Sequence, residues 1–279
     1  MIYNAPVKDM LFLINEWIGI EKINTLPGYE HVDGETLEFI LDEAGRFCSN
    51  ELLPLNREGD EVGARFEDGK VRTPPGFKEA FEAFRENGWT SVDADPDHGG
   101  QGLPRLIQFQ VDEMLSACNT AFKLYTELTH GAYHLMCHAA PDDLKNICLP
   151  KMVAGEWSGT MCLTEPHSGT DLGLLNTKAT DNGDGSYAIN GTKIFITSGD
   201  HDLTENILHM VLARLDGAPE GARGISLFLV PKYRFGADGT VGEANGVITG
   251  SIEHKMGIKA SATCVLNFDN AHGYLLGAE

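Results

Sequence analysis

The 279-residue chain lacks long apolar runs, paired cysteines and an excess of basic residues. No apolar run approaches the roughly 20 residues of a membrane-spanning helix, and residues 1–9 lack the basic stretch and apolar core of a secretory signal. Lys and Arg number 21 against 41 Asp and Glu, so the net charge is −20. A chain this acidic repels nucleic-acid phosphates and anionic lipid surfaces. We therefore expect no nucleic-acid partner and no membrane span.

The six cysteines are scattered along the chain, and none of them forms a Cys-x-x-Cys pair. Without a secretory signal, scattered cysteines are expected to be reduced and mostly buried. This usage indicates a cytoplasmic protein. A hydrophobic fraction of 42% is enough for a folded core and argues against disorder.

The spacing of apolar residues changes near Gly155. Before it, apolar side chains recur at the 3.6-residue period of amphipathic helices, which predicts helices over residues 7–18, 36–56, 76–87, 106–139 and 141–155. After it, short β-forming runs are separated by Gly, Asn and Asp, which predicts strands over residues 157–163, 186–190, 193–197, 207–214, 225–231 and 263–268.

Two turn-forming segments punctuate the predicted strands. Residues 182–185 (Asn-Gly-Asp-Gly) and 190–191 (Asn-Gly) tolerate positive φ, so both predict hairpin turns. Helices followed by antiparallel strands are typical of an α+β fold with segregated domains. We therefore expect a helical domain over residues 1–155 and a mostly antiparallel β-domain over residues 156–279.

A glycine-rich segment, Gly99-Gly100-Gln101-Gly102, superficially resembles a phosphate-binding loop. A dinucleotide fingerprint needs a third spaced glycine between a strand and a helix, but Arg105 stands at that position and no strand precedes the segment. The segment therefore predicts a turn.

Three histidines, His130, His134 and His138, fall on one face of the predicted helix, with Cys137 beside them. Imidazoles one turn apart can share a Zn²⁺ ion. No carboxylate lies between them as it does in His-Glu-x-x-His, so the set of ligands is incomplete. The pattern favours histidines that line a pocket or pack under the next helix, and we predict no metal site.

The most informative stretch is Met161–Asp171, MCLTEPHSGTD. A strand ends at Thr164, a turn follows at Pro166, and small polar residues come next. Such a loop exposes backbone N–H groups and hydroxyls, which suit a planar heterocycle or an anionic group. By chemistry alone, a plain connecting loop is the favoured interpretation.

This stretch resembles the flavin-binding signature of the acyl-CoA dehydrogenases. Four further segments resemble that family in the same order, namely Asp97–Leu103 (DHGGQGL), Ile189–Thr197 (INGTKIFIT), Gly224–Val230 (GISLFLV) and His254–Thr263 (HKMGIKASAT). The long N-terminal region and residues 201–206 resemble the larger members, which include the methylmercaptopropionyl-CoA dehydrogenases. The resemblance implies a barrel-like β-domain and FAD as the cofactor.

The resemblance also assigns roles to individual residues. The isoalloxazine ring is implied to contact Met161, Leu163, Thr164, Phe195, Ile196 and Thr197. Thr164 would form a hydrogen bond near flavin N5, where hydride arrives. Most members have Trp at the position of Phe195, so the ring face is kept here and the indole N–H is lost. The substrate's CoA chain is implied to contact Ser168, Gly169 and Thr170.

The implied reaction is α,β-dehydrogenation of an acyl-CoA thioester, with electrons passing to an electron-transfer flavoprotein. In the family, the catalytic base lies in a C-terminal four-helix bundle that also helps to bind FAD. The sequence stops at Glu279, before any match to that bundle. We therefore expect no catalytic residue in this chain, which would be an inactive fragment of an enzyme that is a homodimer or homotetramer when intact.

Two other interpretations remain open. One is a relative on the same fold, either an acyl-CoA oxidase or a flavin monooxygenase, which would differ in the access of oxygen to reduced flavin. The other is a non-catalytic module that binds flavin or acyl-CoA.

Overall fold

Helices dominate the first half of the chain. The computed structural model describes residues 2–30 and 32–277. Its helices are α1 (Val7–Phe12), α2 (Ile20–Ile23), α3 (Gly34–Phe47), α4 (Leu53–Val62), α5 (Phe77–Glu86), α6 (Arg105–Ala139) and α7 (Asp142–Val153). Two π-helical segments, Leu13–Ile18 and Cys48–Leu52, extend α1 and join α3 to α4. The predicted helices are confirmed. No helix of the described ranges is long and apolar enough to cross a bilayer.

The helical core follows the apolar period of the sequence. In α5, Phe77, Phe81 and Phe84 lie one turn apart and are buried. All three rings pack against Phe122 of α6, with ring centroids between 5.7 and 6.4 Å apart. Upstream, the Asp33 carboxylate accepts a hydrogen bond from Thr36 N at 2.7 Å. This bond caps the otherwise unpaired N–H groups at the start of α3.

The longest helix, α6, is two helices joined at Asn119. This residue has non-helical φ and ψ angles of −156° and 84°. Its Oδ1 accepts a hydrogen bond from Phe122 N at 3.0 Å, and its Nδ2 donates to Leu52 O at 3.1 Å. Asn119 therefore acts as an internal N-cap for the second half of α6. The apolar period alone predicted an unbroken helix.

Strands fill the second half of the chain, after one hairpin in the first. They are β1 (Arg65–Glu67), β2 (Lys70–Arg72), β3 (Trp157–Cys162), β4 (Lys178–Asp181), β5 (Tyr187–Thr197), β6 (Asn206–Leu215), β7 (Ser226–Pro231), β8 (Tyr233–Phe235), β9 (Val241–Ala244), β10 (Val247–Ile252) and β11 (Thr263–Leu276). Seven of them form one sheet in the order β10-β11-β5-β4-β6-β3, and β7 pairs with both β11 and β6.

The large sheet is mostly antiparallel, as predicted. Among the described strands, the only parallel pairs are β6 with β3 and β6 with β4. The 14-residue β11 pairs first with β10 and β5 and then, past a register shift between Phe268 and Ala271, with β7. A bulge bends a strand, so this shift lets β11 curve round to β7 and gives the sheet its barrel-like form.

The hairpin turn predicted at Asn190-Gly191 is wrong, because β5 runs without interruption through both residues. The turn predicted at residues 182–185 does join β4 to β5. Gly191 serves a different purpose, since a Cβ there would lie 2.4 Å from Thr177 Oγ1. Glycine inside a strand marks the close approach of another segment, and here that segment is the chain entering β4.

The sequence predicted a purely helical first half. The structure differs, because β1 and β2 form a hairpin there. Val71 of β2 is 2% exposed and belongs to the core of the large sheet, where Ala64 and Phe66 also pack. The hairpin is polar except at these positions, so its short strands carry little apolar periodicity.

Helices from before residue 155 and strands from after it pack together in a shared core. One buried cluster contains Met136 of α6, Leu149 of α7 and Trp157 of β3, together with residues of β6, β7 and β11. A second contact joins α6 to the loop between β10 and β11, where the Tyr125 hydroxyl donates to Ala260 O at 2.9 Å and accepts from Ala262 N at 3.0 Å. The helical layer therefore packs directly on the sheet.

Candidate functional site

The loop that follows β3 is folded around the buried carboxylate of Glu165. Oε1 accepts hydrogen bonds from Lys193 Nζ at 2.9 Å, Thr177 N at 3.0 Å and the Thr177 hydroxyl at 2.5 Å. Oε2 accepts from Asn176 N at 2.8 Å. Lys193 of β5 is fully buried and also donates to Leu163 O at 3.1 Å. Both carboxylate oxygens are therefore engaged in holding the loop.

Burial and mutual contact shift the pKa values of both Glu165 and Lys193. Burial raises the pKa of Glu165, but hydrogen bonds from Thr177, Lys193 and Asn176 outweigh it and leave the pKa below its ordinary value. Burial lowers the pKa of Lys193, and the neighbouring Glu165 carboxylate opposes this effect. A buried ion pair with its remaining positions hydrogen-bonded fixes geometry more than it adds stability. Here it fixes the loop against β5.

Thr164 and Thr197 present hydroxyls that have no hydrogen-bond partner anywhere in residues 2–30 and 32–277. Both side chains are half-buried. Thr164 O accepts a hydrogen bond from Ile194 N at 2.8 Å, which attaches the loop after β3 to β5. The two predicted segments therefore meet, with Thr164 next to the residue that precedes Phe195. The orientation of the two hydroxyls toward one shared groove stays a prediction.

Phe195 lies in a β-bulge. The pairs Cys264↔Ile196 and Leu266↔Lys193 leave two residues of β5 opposite the single residue Val265. Phe195 has φ +58°, which is unfavourable for an aromatic residue, and its side chain is 54% exposed. Lys255 Nζ lies 5.9 Å from the ring centroid. The bulge thus places an aromatic face at the surface of the sheet, at a strain of order 1–3 kcal/mol.

The predicted substrate loop is tight and only partly exposed. Glu165 N donates to Ser168 O at 2.7 Å, and Ser168 N donates to Glu165 O at 3.1 Å. The Ser168 side chain is buried, and its hydroxyl donates to Asp171 O at 2.7 Å. Gly169 and Thr170 are exposed. A Cβ on Gly169 would lie 3.2 Å from Thr164 Cγ2, so the loop packs closely on the predicted flavin contact.

The remaining predicted flavin residues lie at the end of β3 and on β5. Met161 and Leu163 are half-buried at the end of β3, which is the edge strand of the sheet. Ile196 is 2% exposed and belongs to the core. Sequence reasoning missed Thr177 and the partnership of Lys193 with Glu165. The Lys in the matched segment Ile189–Thr197 was the only signal of that partnership.

Comparisons with known proteins identify two matching domains. The family model for the acyl-CoA dehydrogenase N-terminal domain matches residues 34–156, and that for the middle domain matches residues 160–271. A 3-methylmercaptopropionyl-CoA dehydrogenase of Ruegeria pomeroyi is 44% identical over all of this chain and 47% of its own length. A butyryl-CoA dehydrogenase of Syntrophomonas wolfei is 38% identical over 99% of this chain and 46% of its own.

A solved acyl-CoA dehydrogenase from Bacillus anthracis, complexed with FAD, shares the fold with a TM-score of 0.70 and 26% identity. The match covers 89% of this chain and 38% of that one. The chain spans about half the length of the curated relatives it matches.

Proposed function

The chain belongs to the acyl-CoA dehydrogenase family, and from this premise we propose that it is part of an enzyme that forms an α,β double bond in an acyl-CoA thioester. The α-hydrogen leaves as a proton, and the β-hydrogen leaves with its electron pair. FAD, when bound, supplies the acceptor for that hydride. The observation that supports the proposal best is the bulged, exposed Phe195 beside the Thr164 loop, in a chain that both family models match.

The residues at the end of β3 and in the bulge of β5 have the chemistry to bind a flavin. The unpartnered hydroxyls of Thr164 and Thr197 can hydrogen-bond to a polar ring, and Phe195 offers an aromatic face for stacking. We assign ring contacts to Met161, Leu163, Thr164, Phe195, Ile196 and Thr197. Ile196 is buried, so its contact would come from the backbone. Gly169 and Thr170 are exposed and available to the CoA chain, whereas Ser168 supports the loop through its bond to Asp171.

The base that takes the α-proton is assigned outside this chain. Glu165 is the carboxylate closest in sequence to Thr164, and its oxygens already accept four hydrogen bonds. Using it as a base would break the contacts that hold the loop to β5. We propose that the intact protein passes its electrons to an electron-transfer flavoprotein. We also propose that it is cytoplasmic and assembles as a homodimer or homotetramer.

The test compares flavin reduction in valine variants of the protein expressed from its complete reading frame. Thr164→Val and Thr197→Val keep the side-chain shape and remove one hydroxyl each. Each should slow reduction of bound FAD by acyl-CoA roughly 2- to 12-fold, the rate equivalent of one neutral hydrogen bond of about 0.5–1.5 kcal/mol.

The matched control is Thr180→Val, an exposed threonine on β4 whose hydroxyl bonds Asp216. It should reduce FAD at the wild-type rate. If all three variants reduce FAD at the same rate, the two threonines do not contact the flavin. Rapid hydrogen peroxide formation from thioester and oxygen would identify an oxidase instead.

A further inference from the structure

A second polar cluster lies between helix α6 and the loop that precedes it. His130 and His134 project from adjacent turns of α6, and Asp93 comes from the loop between α5 and α6. His130 Nε2 lies 2.7 Å from Asp93 Oδ1 and 3.0 Å from His134 Nε2. His134 Nε2 lies 3.4 Å from Asp93 Oδ2. The predicted third member, His138, is exposed and takes no part.

Two of these three spacings match the ligand shell of a small divalent ion, and the 2.7 Å between His130 Nε2 and Asp93 Oδ1 is a hydrogen-bond distance that would open slightly around an ion. Ligand atoms about 2.1 Å from one ion, at octahedral to tetrahedral angles, lie roughly 3.0–3.4 Å from one another. Each of the three residues offers one ligand atom, and these atoms all lie within 4.8 Å of one another. The side chains are largely buried, with 4% of Asp93, 18% of His130 and 29% of His134 exposed. No ion is present in the cluster.

Hydrogen bonding alone does not satisfy the cluster. Each Nε2 has a single in-plane direction, which holds either a proton or a lone pair. If His130 Nε2 donates to Asp93 Oδ1, it has no lone pair left to accept a bond from His134. Asp93 Oδ2 is buried and has no hydrogen-bond partner in the described residues. A cation is a partner that both lone pairs and the carboxylate can share.

The space beside the cluster lies on the His130 side, because neither Asp93 nor His134 lines the adjoining cavity. His130 lines an internal cavity of about 40 Å³, together with Trp89, Asp112 and Trp157. A water molecule needs about 10–15 Å³ of such space, so the cavity can hold water ligands. The indole N–H groups of Trp89 and Trp157 are buried without an acceptor, and the Asp112 carboxylate adds negative charge near His130.

We propose that Asp93, His130 and His134 form a site for Zn²⁺ or a similar first-row divalent ion, with the remaining coordination positions open to water. Two imidazoles and one carboxylate suit Zn²⁺, whereas Mg²⁺ and Ca²⁺ require mainly oxygen ligands. Neutral imidazoles and an ionised carboxylate give a site charge of −1, which the ion turns to +1.

The ion would link the loop before α6 to the helix through shared coordination. One residue before His134, the Tyr133 hydroxyl accepts a hydrogen bond from Asp95 N and bonds His98 Nδ1, both at 3.0 Å. The loop is thus already attached at Tyr133, and the metal adds a second attachment through Asp93. None of the three ligands is among the residues assigned to the flavin or the CoA chain, so metal binding is expected whether or not the proposed dehydrogenase activity is found.

The test is calorimetric titration of the full-length, chelator-treated protein with Zn²⁺, with the bound metal counted by elemental analysis. Wild type should bind one Zn²⁺ per chain. Asp93→Asn and His134→Asn should each weaken Zn²⁺ binding by more than the ~10–100-fold typical of losing an outer-shell partner. His138→Asn is the matched control, because it removes an exposed histidine of the same helix, and it should bind as wild type does.

Thermal unfolding gives a second readout that keeps the test decisive if one variant folds poorly. Zn²⁺ at about 100 times its Kd should raise the unfolding midpoint of wild type and His138→Asn by about 2 °C in a chain roughly twice this length, and Mg²⁺ should not. His134→Asn, at a partly exposed position, should fold and show no Zn²⁺ shift. Failure of wild type to bind Zn²⁺, or equal binding by His134→Asn, would overturn the proposal and leave a packing cluster.

Discussion

At the scale of the residue, the Glu165–Lys193 pair controls the shape of the predicted flavin loop. Lys193→Met keeps the apolar stem but leaves the Glu165 carboxylate buried without its counter-charge. Removing one partner of a buried pair typically costs about 3–5 kcal/mol, so we expect a loss of this size in the free energy of unfolding, measured by urea titration. The double variant Glu165→Gln/Lys193→Met should recover part of the loss. A loss below about 1 kcal/mol in the single variant, the level of an exposed pair, would contradict the assignment.

A second residue-scale prediction concerns pH and His201. Its Nδ1 accepts a hydrogen bond from Leu203 N at 3.2 Å, so Nε2 carries the proton and donates to Ser158 Oγ at 3.0 Å. Burial lowers the pKa of His201 from 6.5 to about 4, and Lys232 assists while Asp200 and Asp202 oppose. The unfolded chain therefore binds this proton first as the pH falls.

The stabilisation that depends on neutral His201 is fully present above pH 6.5 and is lost as the pH falls toward about 4. The expected slope is up to about 1.4 kcal/mol per pH unit for this residue. His201→Gln should reduce the slope of unfolding free energy against pH in this window, measured by urea titration at several pH values. Identical slopes in wild type and variant would show that His201 is not responsible.

At the scale of the element, the internal cap of α6 is the most specific feature. Asn119→Ala removes the acceptor of Phe122 N and the donor to Leu52 O in a fully buried position. Loss of a cap costs about 0.5–2 kcal/mol, and an unpaired buried carbonyl adds about 1–3 kcal/mol. We expect a loss of about 2 kcal/mol or more in thermal or urea unfolding. The exposed neighbour Thr120→Ala should stay within about 0.5 kcal/mol of wild type, and a similar loss in both variants would refute the cap.

The same elements show what sequence patterns can and cannot predict. The phenylalanines of α5 predicted its buried face, because helical periodicity depends on local spacing. Asn190-Gly191 was misread as a turn, because the requirement for Gly191 comes from Thr177, a neighbour brought close only by the fold. The motif around Thr164 predicted which segments meet. Asp93 was missed as a partner of His130 because the two are 37 residues apart, and only tertiary packing brings them together.

At the scale of the whole molecule, the helical layer and the sheet are expected to unfold together because they share a buried core. Tyr125 contributes directly, since Tyr125→Phe leaves Ala260 O and Ala262 N buried and unpaired. Each unpaired group costs about 1–3 kcal/mol, so the variant should unfold at lower urea. Tryptophan fluorescence and far-UV circular dichroism should report one coincident transition in wild type. Two separate transitions would show that the regions on either side of residue 155 fold independently.

The proposed enzyme, of which this chain is part, dehydrogenates acyl-CoA with FAD. The direct measurement mixes the FAD-loaded, full-length protein anaerobically with a panel of acyl-CoA thioesters and records flavin absorbance and enoyl-CoA by mass. At least one thioester should bleach the oxidised flavin and yield one enoyl-CoA for each flavin reduced. A flavin that stays oxidised with every thioester, with no enoyl-CoA formed, would contradict the proposed dehydrogenase function.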